Sequence, residues 1–571
     1  MYAALRLVCE IVEEGHVCLD LKQYAGTELL TQEGGKEIRL PPMGEWVARL
    51  GHSPLVGCPG EFKPLILESG RRLYLARYWN YEQSLARRLK SLAARPVDGI
   101  DLDRLRSDLD VLFSHNHIQP DRQKLAAAVA VLRRFSIISG GPGTGKTSTV
   151  VRILVALQSQ AGGQPLRIAL CAPTGKAAAR LKEAIRLQKD TLDIAPALRD
   201  SIPEETGTLH RLLGTLPDSI HFRHHRDNPL PLDVLVVDEA SMIDLALMAK
   251  LVDALPIWTR LILLGDKDQL AAVEPGSIFG DLCRSAGYSP DFHDLLVRAS
   301  GIEPERGDLF VPALSDCVAF LTHSHRFAGG SGIGELARMV NAGSAKAAVK
   351  LLAGKSNPEL AWHGAGPTLE RELMERMEAG YREFFTAVHD DDEPTKILKM
   401  LERFRVLAAH REGMYGAGGI NRRFEERQRG RWRQRTGSRW YAGRPIIVTR
   451  NDYDLGLFNG DIGVALGKGS DLRVYFEDAG GRVRAFAPGR LPEHESVFAM
   501  TVHKSQGSEF DAIALVLPES HTPVLDRPLI YTAITRARSQ ADVFGTKTVL
   551  ETAIRHQPSR SSGLRERLDN D

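Results

Sequence analysis

One short stretch limits what this chain can fold into more than any other feature. The sequence GGPGTGKT, at residues 140–147, follows the apolar run FSIIS and precedes the helical pattern STVVRILVALQ. A glycine-rich loop between a strand and a helix lets backbone N–H groups turn inward around phosphate oxygens, and the helix N-terminus adds positive potential. The stretch therefore predicts a nucleotide phosphate-binding loop composed of Gly140, Gly141, Pro142, Gly143, Thr144, Gly145, Lys146, Thr147 and Ser148.

Four side chains in and beyond this loop are candidates for phosphate chemistry. We expect Lys146 to reach the β and γ phosphates and Thr147 to ligate Mg²⁺. Further along the chain, the apolar run VLVVDEAS ends in two carboxylates, Asp238 and Glu239. A strand that ends in this way predicts that Asp238 completes the Mg²⁺ site and that Glu239 orients and deprotonates the attacking water.

Three more polar residues could serve the same site from other segments. Gln269 closes the strand-like run LLGDKDQL, where a glutamine can report whether the γ-phosphate is present. Arg326 in HSHRF and Arg536 in YTAITRARS lie beyond the first set of strands, so they reach a nucleotide only across an interface. An arginine finger of this kind is typically worth ~10³-fold in rate. A polar turn for the glutamine and a surface position for each arginine remain the alternative interpretations.

The spacing of strand-like runs predicts an α/β fold with several domains. Residues 1–118 form a separate small domain without a phosphate-binding signature, and residues 119–325 carry short apolar runs typical of buried parallel strands. A second α/β set occupies residues 326–555, interrupted at about 443–490 by short strands with Gly, Asn and Asp turns that predict a small β-barrel or meander. Residues 556–571 are polar, and we expect a frayed tail.

Composition excludes several classes of protein. The 571 residues have room for several cores, and the net charge of +2 gives no argument for a nucleic-acid partner. Six cysteines lie far apart without zinc-ligand spacing, which argues against a disulfide scaffold or a metal cluster. Neither a signal-peptide pattern nor a membrane-length apolar run is present, so we expect a cytoplasmic protein without a membrane partner.

The order of the motifs resembles that of RecD-like superfamily 1 helicases over residues 120–545. The motifs are APTGKAAARL (172–181), TLHRLLG (208–214), VVDEASMID (236–244), GDKDQL, SHRF, VTRNDYDLGLFNGDIGV (448–464), TVHKSQGSEFD (501–511) and YTAITRAR (531–538). The resemblance implies a motor of two RecA-like P-loop domains with ATP and Mg²⁺ in the cleft between them, an SH3-like β-barrel insertion in the second, and 5′ to 3′ movement on single-stranded DNA.

The resemblance also assigns two further groups of residues. Gln123 in DRQKLAAAVA resembles the helicase Q motif, which implies recognition of adenine. The residues that resemble the family's strand-binding motifs are Thr174, Lys176, Thr208, His210, Thr501, His503 and Lys504. Their hydroxyl, ammonium and imidazole groups suit the phosphates and sugars that a sequence-independent motor contacts.

The flanking sequence separates the branches of this family. No upstream nicking domain with clustered histidines is recognisable, and little sequence precedes the phosphate loop compared with the longer stand-alone RecD-like helicases. The stretch EEGHVCLDL (13–21) resembles the N-terminal domain of the complex-forming members, which begins abruptly here, as expected if a leading helix is missing or the start codon is misplaced.

Membership of the complex-forming branch implies partners and a cellular task. It implies RecB and RecC homologues in a heterotrimeric exonuclease V, with residues 1–118 as the docking domain. Such a complex processes double-strand breaks for recombination and degrades linear duplex DNA. No cluster of carboxylates with a lysine outside the motor motifs suggests a nuclease site in this chain. A stand-alone helicase, or an ATP-dependent switch subunit without unwinding activity, is the alternative.

Two local patterns remain open to interpretation. Residues 421–444 interleave arginines with Trp432 and Trp440, which suits either a phosphate-tracking surface or an arginine-rich helix that packs its tryptophans on neighbours. The histidines of FRHHRDNP (222–229) favour a solvated loop over a metal site, because no further ligands accompany them.

Overall fold

Two parallel sheets, one after the other along the chain, organise the molecule. The computed structural model describes residues 2–30, 37–114, 120–283, 287–307, 312, 314–327, 329–354, 357–431, 439–452, 454–478 and 481–569. Buried helices cover both faces of each sheet, as parallel strands without a solvent-facing side require. The expectation of an α/β protein with parallel sheets is confirmed.

The N-terminal region mixes short strands with helices. Its elements are α1 (Tyr2–Glu13), β1 (Cys18–Asp20), α2 (Leu21–Tyr24), β2 (Glu28–Leu30), β3 (Glu37–Arg39), α3 (Met43–Gly51), β4 (Val56–Gly57), β5 (Leu65–Glu68), β6 (Arg72–Leu75), α4 (Ala76–Ala94) and α5 (Leu102–Leu112). A four-stranded sheet in the order β1-β6-β5-β4 and the apolar faces of α1 and α3 enclose a small core of their own.

The packing of α4 and α5 differs from the expected division at residue 118. Leu85 and Leu89 of α4 belong to the same buried cluster as Met248 of the first parallel domain. Leu105 of α5 likewise shares a cluster with Val150 on that domain's other face. Because periodicity shows that a helix has an apolar face but not which neighbour covers it, the sequence could not assign these helices to the first parallel sheet.

The first parallel sheet has six strands in the order β12-β7-β11-β10-β8-β9. Its elements are α6 (Arg122–Leu132), β7 (Phe135–Gly140), α7 (Lys146–Gln160), β8 (Ile168–Ala172), α8 (Gly175–Thr191), α9 (Pro196–Asp200), β9 (Thr206–Thr208), α10 (Leu209–Leu213), β10 (Val234–Val237), α11 (Leu245–Asp253), β11 (Arg260–Gly265), α12 (Ile278–Leu282), α13 (Pro290–Ser300) and β12 (Val318–Leu321). The ladders are all parallel, so the carboxyl ends of these strands meet at one edge.

The second parallel sheet has five strands in the order β13-β22-β21-β14-β20. It is built from α14 (Gly332–Asn341), α15 (Ala345–Ala353), β13 (Leu360–Gly364), α16 (Leu369–Gly380), α17 (Arg382–His389), α18 (Pro394–Leu401), β14 (Phe404–Ala408), α19 (Ala417–Arg431), β20 (Ala499–Thr501), β21 (Phe510–Val516), α20 (Arg527–Ile534), β22 (Ala537–Gly545) and α21 (Lys547–Arg555). These ladders are parallel as well.

An antiparallel sheet interrupts the second domain between α19 and β20. Its strands are β15 (Arg444–Val448), β16 (Ile462–Leu466), β17 (Arg473–Glu477), β18 (Val483–Phe486) and β19 (His494–Ser496). The fifth strand, β19, lies beyond the end that the sequence predicted near residue 490. It pairs with β15, far away in sequence, rather than with the strand before it. Local turn signals do not reveal such a long-range pairing.

The last residues correct the expectation of a frayed tail. Helix α22 (Leu564–Asp569) packs on α4, with Leu564 fully buried. Arg567 lies 2.7 Å from Glu68 and 3.3 Å from the fully buried Glu82. The tail is polar in composition, but its charged groups find partners on the N-terminal region. No helix in the described part of the chain is long and apolar enough to cross a membrane.

We expect Glu82→Ala to lower the free energy of unfolding by about 3 kcal/mol, because it removes a fully buried carboxylate and leaves several buried donors without their acceptor. Glu82 accepts hydrogen bonds from Arg567, the Ser562 hydroxyl and the Gly563 N–H. Chemical denaturation measures the change. Glu10→Ala, which removes an exposed carboxylate from a helix-surface pair, is the control and should cost about 0.5 kcal/mol or less. Equal losses in the two variants would show that the buried contacts of Glu82 contribute no more to stability than an exposed ion pair.

Candidate functional site

The glycine-rich loop occupies the turn between β7 and α7. Gly143 and Gly145 adopt φ values of 74° and 80°, in the left-handed region that favours glycine. A Cβ at Gly145 would also collide with the amide of Gln123, whose Nε2 donates a 3.0 Å hydrogen bond to the Thr144 carbonyl. Both the backbone conformation and the available space therefore require glycine here.

The loop gathers donors at the start of a long helix. Lys146 Nζ donates to the carbonyls of Gly140 at 2.6 Å and Gly141 at 3.2 Å, so the ammonium lies directly over the loop. Helix α7 begins at Lys146, and the first N–H groups of any helix, here those of Lys146, Thr147 and Ser148, have no partner within the helix. Backbone donors and one ammonium group thus converge where an anion would bind.

A segment after β12 closes over the loop from one side. The Ser324 hydroxyl donates to the Pro142 carbonyl at 2.9 Å, and the His325 N–H donates to the Gly143 carbonyl at 2.8 Å. A Cβ at Gly143 would collide with the Cβ of Arg326. Sequence reasoning selected Arg326 but missed Ser324 and His325, because only their contact with the loop distinguishes them.

The carboxylate pair follows β10 at the same edge of the sheet. Glu239 has a φ of 52°, an uncommon conformation for a residue with a side chain, and its N–H donates to Asp238 Oδ1 at 2.8 Å. Burial and the neighbouring Glu239 raise the pKa of Asp238, while Lys146 opposes the rise. The charges of Asp238 and the loop lysine therefore influence each other. A bound cation would be stabilised by the carboxylates of Asp238 and Glu239.

Gln269 is tied to a buried carboxylate and to the second domain. Asp266 is almost fully buried and accepts hydrogen bonds from Gln269 Nε2 at 3.2 Å and from the Tyr531 hydroxyl at 2.9 Å. Burial raises the pKa of Asp266, and Lys146 lowers it in part. The Tyr531 hydroxyl lies 3.0 Å from where a Cβ on Gly141 would be. Sequence reasoning did not select Asp266 and Tyr531 as site residues, although both lie within quoted motifs.

Arg536 is buried, which rules out the surface interpretation. Its Nε and Nη1 donate to the carbonyls of Thr532 and Ser508, each at 3.2 Å, and only 3% of the residue is exposed. Burial lowers the pKa of Arg536, whereas Glu239 and Glu509 raise it. Glu239 at the end of β10 and Glu509 thus both favour the charged form of this buried arginine.

Arg326 is held by a carboxylate that sequence reasoning missed. Its Nη2 donates to Glu509 Oε1 at 2.6 Å, and Arg180 of α8 binds the other oxygen of Glu509 at 2.8 Å. Burial alone would raise the pKa of Glu509, but the charges of Arg180 and Arg326 outweigh burial and lower it to about 2. The carboxylate is therefore ionised throughout the physiological pH range.

The candidate strand-binding residues of the first domain lie on neighbouring strands. Thr174 caps α8 just after β8, and Thr208 ends β9, which pairs with β8 in parallel. Lys176 Nζ lies 3.5 Å from Glu402, and burial lowers its pKa. The His210 ring lies 5.7 Å from the Phe222 ring, and desolvation lowers the pKa of His210. The fold thus brings this half of the set to one edge.

The remaining three candidates follow β20 in the second domain. The Lys504 N–H donates to Thr501 Oγ1 at 3.4 Å, and the Lys504 ammonium pairs with Glu495. Burial and the nearby Arg560 lower the pKa of His503, so its imidazole is neutral at pH 7. This compact turn presents a hydroxyl and an ammonium on one short segment.

The segments that carry the two halves of the candidate strand-binding set are in direct contact. A Cβ on Gly507 would lie 3.3 Å from Ala177 Cβ, and Arg180 Nη1 donates to the Gly507 carbonyl at 2.8 Å. Helix α8, whose first turn carries Thr174 and Lys176, therefore packs directly against the segment that follows Lys504.

The two patterns left open by the sequence have different outcomes. Of the arginine-rich segment, residues 432–438, including Trp432, lie outside the described residues. Within the described part, Arg423 of α19 pairs with Glu370, and Trp440, which lies after the helix, packs 5.1 Å from the His494 ring. No group of three metal-ligating side chains occurs among the described residues, including the loop at 222–229.

Comparison with known proteins gives consistent matches along the chain. Three families match: the N-terminal domain of RecBCD enzyme subunit RecD at residues 1–74, an AAA domain at 123–275 and a UvrD-like helicase C-terminal domain at 496–543. The RecBCD enzyme subunit RecD of Mycolicibacterium smegmatis is 40% identical, covering 99% of this chain and 93% of the relative. That of Haemophilus influenzae is 35% identical, with coverage of 98% and 91%.

Two other similarities are more distant. The ATP-dependent RecD2 DNA helicase of Deinococcus radiodurans is 30% identical over 87% of this chain but only 58% of that relative. Among solved structures, the Pif1 helicase from Bacteroides in complex with ADP-AlF3 and single-stranded DNA matches with a TM-score of 0.41 and 15% identity, covering 78% of this chain and 95% of that one.

We expect Glu239→Gln to bind ATP with nearly unchanged affinity but to lose turnover by about 100-fold or more, because only the general base is removed. Lys146→Gln should lose both nucleotide binding and turnover, since the charge over the loop disappears. Equilibrium nucleotide binding and steady-state phosphate release distinguish the two variants. Loss of binding in Glu239→Gln would show that its carboxylate holds the nucleotide or its cation instead.

Proposed function

The chain belongs to the RecD family and is an ATP-dependent DNA helicase, and from this premise we propose that it moves 5′ to 3′ along single-stranded DNA within an exonuclease V-type complex. In that complex RecB and RecC homologues are its partners, and the complex processes double-strand breaks for recombination. One observation supports the motor assignment: the segment of the second domain that ends in the buried Arg536 is bonded to the first domain beside the phosphate loop, through the Tyr531 hydroxyl to Asp266 and the Leu270 N–H to Thr532. Hydrolysis assisted in this way depends on how the two domains are placed, which is what a motor requires.

The proposed domains follow from the sheets. Two RecA-like domains at 119–325 and 326–555 form the motor, with ATP between them, and the antiparallel sheet is an SH3-like barrel inserted in the second. Residues 1–118 are the docking region, with α4 and α5 fixing it to the motor. Of the tail at 556–571, the described residues 556–569 join the second domain back to this region.

The phosphate loop fits a nucleotide with Mg²⁺. Its glycines at 143 and 145 adopt left-handed conformations and close contacts that a Cβ would not allow, and a lysine, a threonine and a half-buried aspartate lie around the loop. ATP supplies the bond whose hydrolysis drives movement, and Mg²⁺ would shield its phosphate charge. Lys146 binds the phosphates, and Thr147 and Asp238 hold the metal.

The groups around the phosphates divide the remaining work. Glu239 accepts a proton from the attacking water, and Gln269, fixed by Asp266, senses the end of the phosphate chain. Arg326 and Arg536 stabilise charge in the transition state. Gln123 recognises the adenine edge from its position beside the loop.

A strand path crosses the two sheets. Thr174, Lys176, Thr208 and His210 contact phosphates and sugars on the first domain, and Thr501, His503 and Lys504 do so on the second. The close contact between Ala177 and Gly507 supports a continuous path. An ATP-dependent switch without unwinding activity would have no use for it. The coverage of 93% of one RecBCD subunit, against 58% of the RecD2 helicase, favours the complex-forming branch over a stand-alone helicase.

We expect Lys504→Ala to weaken binding of single-stranded DNA and to reduce the slope of log Kd against log salt by about 0.7, as loss of one phosphate contact predicts. Fluorescence anisotropy over a salt series measures the slope, and strand displacement of a 5′-tailed duplex should fall in parallel. Lys396→Ala is the matched control, because it also removes a lysine paired with a carboxylate, far in sequence from the motifs. An unchanged slope for Lys504→Ala would assign this lysine to the protein structure.

The docking role of the N-terminal region predicts loss of assembly without loss of the motor. Phe62 is fully exposed there and Leu55 is half exposed, and exposed aromatic side chains are frequent anchors of interfaces. We expect Phe62→Ser with Leu55→Ser to reduce capture by RecB and RecC homologues by about 10-fold or more, while DNA-stimulated ATP hydrolysis is retained. Trp258→Ser, an exposed aromatic of the first motor domain, is the control in the same pull-down. Undiminished capture would place the interface elsewhere.

A further inference from the structure

One carboxylate binds three guanidinium groups beside the phosphate loop. Glu509 Oε1 lies 2.6 Å from Arg326, and Oε2 lies 2.8 Å from Arg180 and 3.2 Å from Arg538. The Glu509 side chain is only 15% exposed. Such bonds between ionised groups in a partly dry environment are the strong ones, so the arrangement fixes where each arginine points.

Arg326 lies next to the phosphate loop, and its guanidinium is bound by Glu509. Its Cβ touches the position that a side chain at Gly143 would occupy. Its Nη2 is taken by Glu509, whereas its Nη1 is buried and has no hydrogen-bond partner among the described residues. A guanidinium binds carboxylates and phosphates with the same planar geometry, so Glu509 and a γ-phosphate are alternative partners for Arg326.

Glu509 and Arg180 both lie on segments that also carry proposed strand-binding residues. Glu509 lies five residues after Lys504, on the segment that begins with Thr501. Arg180 is on α8, one turn after Lys176, and its Nη1 also bonds to the Gly507 carbonyl at 2.8 Å. A strand lying across both segments therefore acts on both sides of the Glu509–Arg180 bond.

We propose that Glu509 is a positioning residue that couples strand binding to ATP hydrolysis by holding Arg326 away from the γ-phosphate until a strand is bound. This inference rests on the proposed function of the site. A strand that contacts α8 and the 501–504 segment displaces them relative to each other and weakens the hold of Glu509. Arg326 then turns to the phosphate. An arginine in that position is typically worth ~10³-fold in rate, so its retention keeps hydrolysis slow without DNA.

The decisive variant is Glu509→Gln, which keeps the shape of the side chain and removes the charge. We expect the DNA-free kcat for ATP to rise about 10-fold or more, and the stimulation by oligo(dT) to fall by the same factor. The Kd for oligo(dT) should stay within about 2-fold, because Glu509 is not a strand ligand. Glu509→Asp, which keeps the charge, should restore low DNA-free hydrolysis at least in part.

A matched control lies two residues further along the chain. Asp511 binds Arg403 at 3.2 Å and approaches Arg538 at 3.8 Å, without an ion pair to Arg326 or Arg180. We expect Asp511→Asn to retain the stimulation ratio of the unmodified protein. The same increase in both variants would overturn the proposal. It would show that any loss of negative charge near the start of β21 raises the DNA-free rate.

A second variant keeps the proposal testable if Glu509→Gln folds poorly, and the melting temperature reports folding. Arg180→Gln weakens the same cluster from α8 and should also raise DNA-free hydrolysis. Adding Arg326→Gln to either variant should abolish the increase, because the released arginine is its cause. An increase that persists without Arg326, or a DNA-free rate that falls in Glu509→Gln, overturns the proposal.

The same assays separate this inference from the proposed function. If the unmodified protein hydrolyses ATP at one rate with and without oligo(dT), the strand-driven motor itself fails. If the unmodified protein is stimulated and Glu509→Gln is stimulated equally, the motor stands and the role of Glu509 fails.

Discussion

Polar bonds buried between the two parallel domains determine how the rest of the molecule works. The Leu270 N–H donates to Thr532 Oγ1 at 2.9 Å, Gln506 Nε2 donates to the Leu270 carbonyl at 2.9 Å, and the Tyr531 hydroxyl reaches Asp266. A buried donor left without an acceptor is costly, so these bonds either form together or exchange for another complete set. An interface of this kind favours a few defined arrangements over a continuous range, and a motor that steps needs this property.

Features formed by one contiguous stretch of sequence could be predicted, whereas features formed by contacts between distant segments could not. The loop from Gly140 to Ser148 and the carboxylates after β10 could be predicted, because each is one contiguous stretch between a strand and a helix. Glu509, Arg180 and Tyr531 could not be selected. Their importance comes from contacts such as Arg326 with Glu509, which are 183 residues apart in sequence. Burial also excluded a surface position for Arg536, an alternative that the sequence had left open.

Composition was the weaker guide to the ends of the fold. A tail rich in Arg and Ser suggested solvent, yet α22 lies on α4, where the carboxylates of Glu68 and Glu82 match the charge of Arg567. In the same way, turn residues located the inserted antiparallel sheet but not its fifth strand, whose register depends on β15. In both cases the deciding partner lies far away in sequence, and local pattern carries no information about it.

Because α22 packs on α4, the N-terminal region cannot complete its contacts until α22 has been synthesised. The N-terminal region leaves the ribosome first, but Glu82 has no guanidinium partner until residue 567 has been made. The backbone N–H of Val17 likewise waits for the Ser561 carbonyl, 2.9 Å away in the finished chain. A chain interrupted before residue 561 would carry an intact set of motor motifs but an unfinished N-terminal region. The region proposed to meet partner subunits thus becomes complete only after residues 561–567 have been made, so an assembly that depends on it discriminates against chains that stop before them.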